Sequence, residues 1–177
     1  MPGPDAPSPI PSVVGGAVVN AAMLDGLVGK ELDAICGKYG SKGDTFNHCA
    51  HFVSHVLQLR IPGAVLCSNA EESKWTYAQR REGFCIRVNE VFNSLKNRAI
   101  YVEAEPGSFL MVATTKGNIT SKKPLTIGTS SVKHIGFASD GNVYHYSNLQ
   151  DKVVKVSIAE FAKHYGGETI LMRADLP

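Results

Sequence analysis

The dipeptide Asp140-Gly141 separates two short segments of alternating apolar and polar residues, and this feature constrains the fold most strongly. Asp-Gly favours the tight turn of a two-residue β-hairpin. Residues 132–139 and 142–146 are therefore predicted to pair as antiparallel strands. Short apolar or alternating runs predict three further strands, at 107–115, 152–156 and 169–173.

The N-terminal half of the chain has helical periodicity instead. Gly26 and Gly29 weaken the first of the predicted helices. Residues 116–129 are predicted to form a polar loop. Helices that come before an antiparallel sheet indicate an α+β fold. The predicted helices are 17–36, 47–59, 70–81, 88–98 and a short one that Ser157 caps and that runs through Tyr165.

Composition predicts an ordinary globular protein, because 44% of the 177 residues are apolar and 19% are charged. Residues 1–12 contain five prolines and are expected to be a flexible leader before a single domain at 13–177. The leader lacks the basic start and apolar run of a secretory signal peptide, so synthesis in the cytoplasm is expected. A net charge of +2 gives no case for nucleic acid, and no segment has the length of a membrane span.

The segment 47–57 places a cysteine at the start of a predicted amphipathic helix. At about 100° per residue, Cys49 falls in the middle of the apolar sector formed by Phe52, Val53 and Val56. Free N–H groups and the helix dipole at this position favour the thiolate. The sulfur also faces the predicted sheet. Cys49 is therefore a candidate nucleophile, and the alternative is a buried small hydrophobe.

Two histidines on the same helix raise the question of a metal. His51 and His55 are four residues apart and could share an ion, but His48 or His164 would have to supply a further ligand. No glutamate separates them, so the zinc-hydrolase pattern is absent. Hydrogen-bonded histidines on a polar helix face are favoured, with no metal and no other cofactor. The remaining cysteines are expected to be free thiols in packing or surface positions: Cys36, Cys67 and Cys85.

A histidine near the start of the first hairpin strand is the candidate general base. Across the predicted turn, His134 lies close to His145 or Tyr146. A base needs a partner on its other ring nitrogen, and either His145 or Asn148 could serve. The alternative is that His134 is an exposed strand residue.

Together these motifs resemble the NlpC-type cell-wall peptidases of the papain-like group. Tyr39-Gly40 precedes the segment that begins at Cys49-Ala50-His51, and a strand starting His134-Ile135-Gly136-Phe137 follows, with His145 further on. In that family a tyrosine-containing glycine loop precedes Asp-Cys-Ser-Gly-Phe-Val, and a His-Val-Gly-Ile strand follows. Here His48 replaces the aspartate and Ala50-His51 replaces Ser-Gly. These departures bear on the choice of substrate more than on the Cys–His chemistry.

The resemblance implies a papain-like fold with N-terminal helices packed on a central antiparallel sheet. It implies Cys49 as the nucleophile, His134 as the base and His145 as its orienter, with Tyr39 and Asn148 as candidate substrate or oxyanion contacts. The implied reaction is hydrolysis of an amide in bacterial peptidoglycan peptides.

Without a visible export signal, a cell-wall enzyme would need a specialised delivery route. A type VI secretion amidase effector, neutralised by an immunity protein, would fit this requirement. A deamidase or acyltransferase that acts on a protein or lipid, and a non-catalytic binding module, are the alternatives.

Overall fold

The fold is known from a computed structural model that describes residues 18–36, 48–67 and 83–177. Over these ranges the chain is α+β, as the sequence predicts. The helices are α1 (Ala21–Asp25), α2 (Leu32–Cys36), α3 (Cys49–Leu57), α4 (Val88–Ser94) and α5 (Ile158–Phe161). The strands are β1 (Ala99–Ile100), β2 (Ser108–Thr115), β3 (Ile119–Lys122), β4 (Leu125–Ile127), β5 (Lys133–Ser139), β6 (Asn142–Ser147), β7 (Lys152–Ser157) and β8 (Thr169–Ala174).

Six strands form one antiparallel sheet in the order β1-β8-β2-β5-β6-β7. The predicted hairpin is confirmed, with Ser139 opposite Asn142 across the two-residue turn. Its turn residues both have positive φ, +49° at Asp140 and +76° at Gly141, which is the geometry that matches the twist of the flanking strands. The sheet therefore places β5 at its centre, between β2 and β6.

The two faces of the sheet carry separate apolar clusters. On the first face, Ile135 and Phe137 of β5 pack with the residues of α3, and the Phe52 ring meets the Phe137 ring edge to face at 5.7 Å between centroids. On the second face, Ala138 packs with Phe161 of α5. Because successive side chains of a strand alternate between faces, His134 and Gly136 share the second face with Ala138. The helix that carries Cys49 thus lies against the face opposite to that of His134.

The helix predicted at 17–36 and the loop predicted at 116–129 differ from the structure, and the helix predicted at 88–98 ends at Ser94. The helix predicted at 17–36 is broken between α1 and α2, where Gly29 has φ +83°. The N–H of Gly29 and the carbonyl of Lys30 each form a hydrogen bond with Val153 of β7, so this stretch docks on the sheet edge instead of continuing the helix. The loop predicted at 116–129 contains the small hairpin β3-β4.

The other predicted strands are confirmed to within one residue at either end. The last predicted helix is shorter, since α5 ends at Phe161, and Ser157 caps it by accepting the N–H of Glu160 at 3.1 Å. The leader 1–12, the helix predicted at 70–81 and the candidate contact Tyr39 lie outside the described residues. In the part of the chain that the structure describes, no helix combines the length and apolarity that crossing a membrane requires.

Candidate active site

Cys49 begins α3, and its side chain is 0% exposed. It belongs to the apolar cluster that α3 forms with Ile135 and Phe137 of the sheet. The start of the helix is tied to the end of β6 because the Oδ1 atom of Asn148 accepts the N–H of His48 at 3.2 Å. The sulfur thus lies at a helix start and faces the sheet, as the sequence predicts.

The protonation of this sulfur differs from the sequence prediction. Burial raises the pKa of the Cys49 thiol to about 12, although the backbone N–H groups of Ile135, Ala50 and Cys49 itself lower it. Desolvation disfavours a charged sulfur more than three N–H dipoles favour it. Burial thus favours the neutral thiol over the thiolate, which is opposite to the effect of the helix start alone.

The N–H of Ile135 reaches the sulfur because the β5-β6 ladder ends early. Pairing starts at Ser139 and Asn142 and stops at Phe137 and Tyr144. In an antiparallel ladder every second residue points its N–H at the same neighbour, so Ile135 continues the direction of Ser139 and Phe137 toward β6. Where β6 no longer pairs, that N–H points at Cys49 instead. The sulfur thus lies at the opening between β5 and β6.

His134 and His145 form the pair that the sequence predicts. His134 Nε2 lies 2.8 Å from His145 Nδ1, and both side chains are buried. The Asn148 side chain is engaged at the start of α3, so in this structure His145 and not Asn148 holds the His134 ring. The bond uses Nε2 of His134, so Nδ1, the nitrogen nearer the backbone, remains as the atom that can act as a base.

Both imidazoles are neutral. Burial, followed by the nearby His145 and His164, holds the pKa of His134 well below its ordinary value. Burial and then His164 lower the pKa of His145 to about 4. A neutral His134 that donates from Nε2 to His145 keeps a lone pair on Nδ1. This is the tautomer that general-base chemistry requires.

Gly136 permits the close approach of the two histidines. A Cβ atom at this position would lie 2.6 Å from the carbonyl oxygen of Tyr144 and 2.9 Å from the Cβ of His145. Both distances are shorter than the contacts that Cβ atoms make in proteins. The glycine of the His134-Ile135-Gly136 motif therefore has a local steric role beside the site.

Two residues that sequence reasoning did not assign to the site lie over the histidine pair. The His164 ring stacks on the His134 ring at 4.4 Å between centroids and an interplanar angle of 11°. Tyr165 packs beside His164, and its pKa rises to about 12, first through burial and then through the charge that Cys49 can carry. Both follow α5 by a few residues, and nothing in the local sequence links them to a site.

Cys49 and His134 approach the peptide between residues 134 and 135 from opposite faces of the sheet. The sulfur accepts the N–H of Ile135, while the imidazole projects from the preceding residue toward the second face. Among the described residues, the hydrogen bond and the ring contacts of His134 go to His145, Phe161 and His164. A direct thiol–imidazole contact would thus require a rotation of one of the two side chains.

Comparisons with protein-family models, with curated proteins and with solved structures find no match to this chain.

Proposed function

We propose that the protein is a thiol hydrolase that cleaves an amide bond through Cys49 and His134. The observation that carries this proposal is the 2.8 Å bond between His134 Nε2 and His145 Nδ1, together with a cysteine at a helix start whose sulfur accepts the N–H of Ile135. A nucleophile, a base and a group that orients the base are the three parts that covalent acyl transfer needs. An α+β chain with this order of elements is compatible with the papain-like fold that the sequence motifs suggest.

The reaction begins from a neutral pair. Once a side-chain rotation has brought the imidazole to the sulfur, His134 Nδ1 takes the proton of the Cys49 thiol as the sulfur bonds to the amide carbonyl carbon. The N–H groups at the start of α3 stabilise the oxyanion. The carbon–nitrogen bond breaks, and the amine leaves with the proton from His134. Water then attacks the thioester with His134 again as base, which releases the acid and restores the thiol. Throughout, His145 Nδ1 accepts a hydrogen bond from the Nε2–H of His134 and fixes the tautomer.

The substrate class follows from the sequence resemblance and is part of the proposal. Peptides of the bacterial cell wall contain the amide bonds that NlpC-type peptidases cleave. Action there would place the enzyme in a periplasm or cell wall after delivery by a specialised route. An immunity protein would then be its expected partner.

The test is incubation of the purified full chain with muropeptides, followed by mass spectrometry. The wild-type protein is expected to generate new peptide fragments, Cys49→Ala none, and Cys85→Ala the same fragments as wild type. Cys85 is a suitable control because it is also buried but lies outside the site. Unchanged muropeptides in the wild-type sample would exclude the peptidoglycan substrate and favour a deamidase or acyltransferase.

A second measurement separates an enzyme from a binding module. If His134 acts as a base toward Cys49, His134→Ala slows the alkylation of Cys49 by iodoacetamide and leaves that of Cys85 unchanged. Equal rates for Cys49 with and without the imidazole would remove the catalytic interpretation, whatever the substrate.

A further inference from the structure

A second group of nucleophilic side chains lies on α3, away from the candidate active site. His51 and His55 project from adjacent turns toward Cys36, the last residue of α2, and toward Cys67. One ligand atom from each of these four residues lies within 4.8 Å of the other three. The sequence suggests His48 or His164 as an additional ligand, whereas the fold brings two distant cysteines to His51 and His55.

Two of the separations between ligand atoms are close to those of a tetrahedral zinc site. Zinc lies about 2.3 Å from sulfur and about 2.0–2.1 Å from nitrogen, so tetrahedral ligand atoms are roughly 3.3–3.8 Å apart. The distance from His51 Nε2 to Cys36 Sγ is 3.1 Å, and that from His55 Nε2 to Cys67 Sγ is 3.8 Å. Two sulfurs and two nitrogens in this arrangement form a donor set that selects zinc.

The surroundings support the same assignment. Cys36, His51 and Cys67 are each at most 4% exposed, so the donors are largely shielded from water. The N–H of Phe84 donates to the Cys67 sulfur at 3.3 Å, and the Cys67 N–H donates to the Phe84 carbonyl at 2.8 Å. Outer contacts of this kind orient ligands and favour the ionised sulfur that metal binding requires.

We propose that Cys36, His51, His55 and Cys67 bind one Zn²⁺ ion. All four ligands come from the protein, which is the composition of a structural site rather than of a catalytic site with an open position. The ion would fasten α2 and the segment ending at Cys67 onto α3, the helix that carries Cys49. His51 and His55 have the H-x₃-H spacing of zinc sites, but the cysteines lie far apart in sequence and form no recognisable pair.

The test is the metal content of the full chain, purified without a histidine tag and without chelator, by inductively coupled plasma mass spectrometry. Wild-type protein and Cys85→Ala are expected to contain about one zinc per chain, and Cys36→Ala and Cys67→Ala about a tenth of that or less. Cys85 is a matched control because it is a buried cysteine outside the cluster. Retention of zinc by both cluster variants would overturn the proposal.

A titration with Co²⁺ keeps the proposal testable if a variant does not fold. After removal of zinc, the wild-type chain is expected to bind one Co²⁺ with the visible absorption of a tetrahedral ion and the near-ultraviolet absorption of sulfur ligation, and Zn²⁺ should displace it. Absence of both zinc and this spectrum would overturn the proposal. A Cys36–Cys67 disulfide, detected as a mass lower by two hydrogens, would overturn it as well. These readouts are independent of any hydrolytic activity.

Discussion

The Nε2 atom of His134 and the Nδ1 atom of His145 are 2.8 Å apart, on two strands whose backbone pairing has already ended. The bond therefore joins β5 and β6 where their ladder no longer does. It also fixes which nitrogen of His134 is left to accept a proton. The sulfur of Cys49 approaches the same opening through the N–H of Ile135. The candidate catalytic residues thus lie where the regular pairing of β5 and β6 ends.

Substitution of His134, His145 and Asn148, one at a time, tests which residue orients the proposed base. His134→Ala is expected to lower kcat by about 10²–10⁴-fold, because it removes the proposed general base. His145→Ala is expected to cost less, since it removes only the bond that selects the tautomer. Asn148→Ala removes the hydrogen bond that its side chain accepts from the N–H of His48 and is expected to lower the free energy of unfolding by about 1 kcal/mol.

Steady-state kinetics and urea unfolding of the three variants check this order. A larger loss of kcat in Asn148→Ala than in His145→Ala would assign the orienting role to the asparagine instead.

Titration of the sulfur gives a second prediction. Because the pKa of Cys49 lies at about 12, the thiolate fraction rises about tenfold for each pH unit between 7 and 10. The rate at which iodoacetamide modifies Cys49, measured by peptide mass spectrometry, is expected to rise in the same proportion without levelling off. A plateau below pH 8 would show a resting thiolate–imidazolium pair and contradict the neutral site.

The sequence predicted the elements whose signals are local. The hairpin of β5 and β6 follows from two alternating runs and an Asp-Gly turn, and that register brings His134 to His145. The sequence could not predict that Val153 interrupts the first helix, because those hydrogen bonds join residues more than a hundred positions apart.

The properties of the site that depend on packing were not predictable either. The first turn of α3 suggests an acidic thiol, but burial under the sheet reverses the direction of the pKa shift. Cys36 and Cys67 meet the two histidines only because α2 and the segment after α3 fold back onto that helix. No local sequence pattern indicates the raised pKa of the thiol or the meeting of the two cysteines with the histidines.

Gly136 provides a steric test of the close approach between β5 and β6. Gly136→Ala would place a methyl group 2.6 Å from the Tyr144 carbonyl oxygen, and the backbone of β6 must move to admit it. The free energy of unfolding is expected to fall by about 1–3 kcal/mol, as for other overpacked sites. Gly117→Ala is the matched control, since nothing lies within 4 Å of the added atom. Equal stabilities of the two variants in urea would disprove the close approach.

Acid should destabilise the fold through the buried histidine pair. Burial lowers the pKa of His145 to about 4 and that of His134 also, whereas both titrate near 6.5 when unfolded. Below about pH 6.5 the unfolded chain therefore binds more protons than the native one, and stability falls as the pH falls. Each such histidine contributes a slope of up to about 1.4 kcal/mol per pH unit until its native pKa is reached.

Urea unfolding at pH 7.5, 6.5 and 5.5 measures this slope. The double variant with His134→Gln and His145→Gln is expected to lose less stability between pH 6.5 and 5.5 than the wild type does. All titratable groups outside the pair are common to both proteins, so their contributions cancel in the difference. Parallel pH profiles would mean that the pair takes up as many protons in the native state as in the unfolded state, which would contradict the lowered pKa values of both imidazoles.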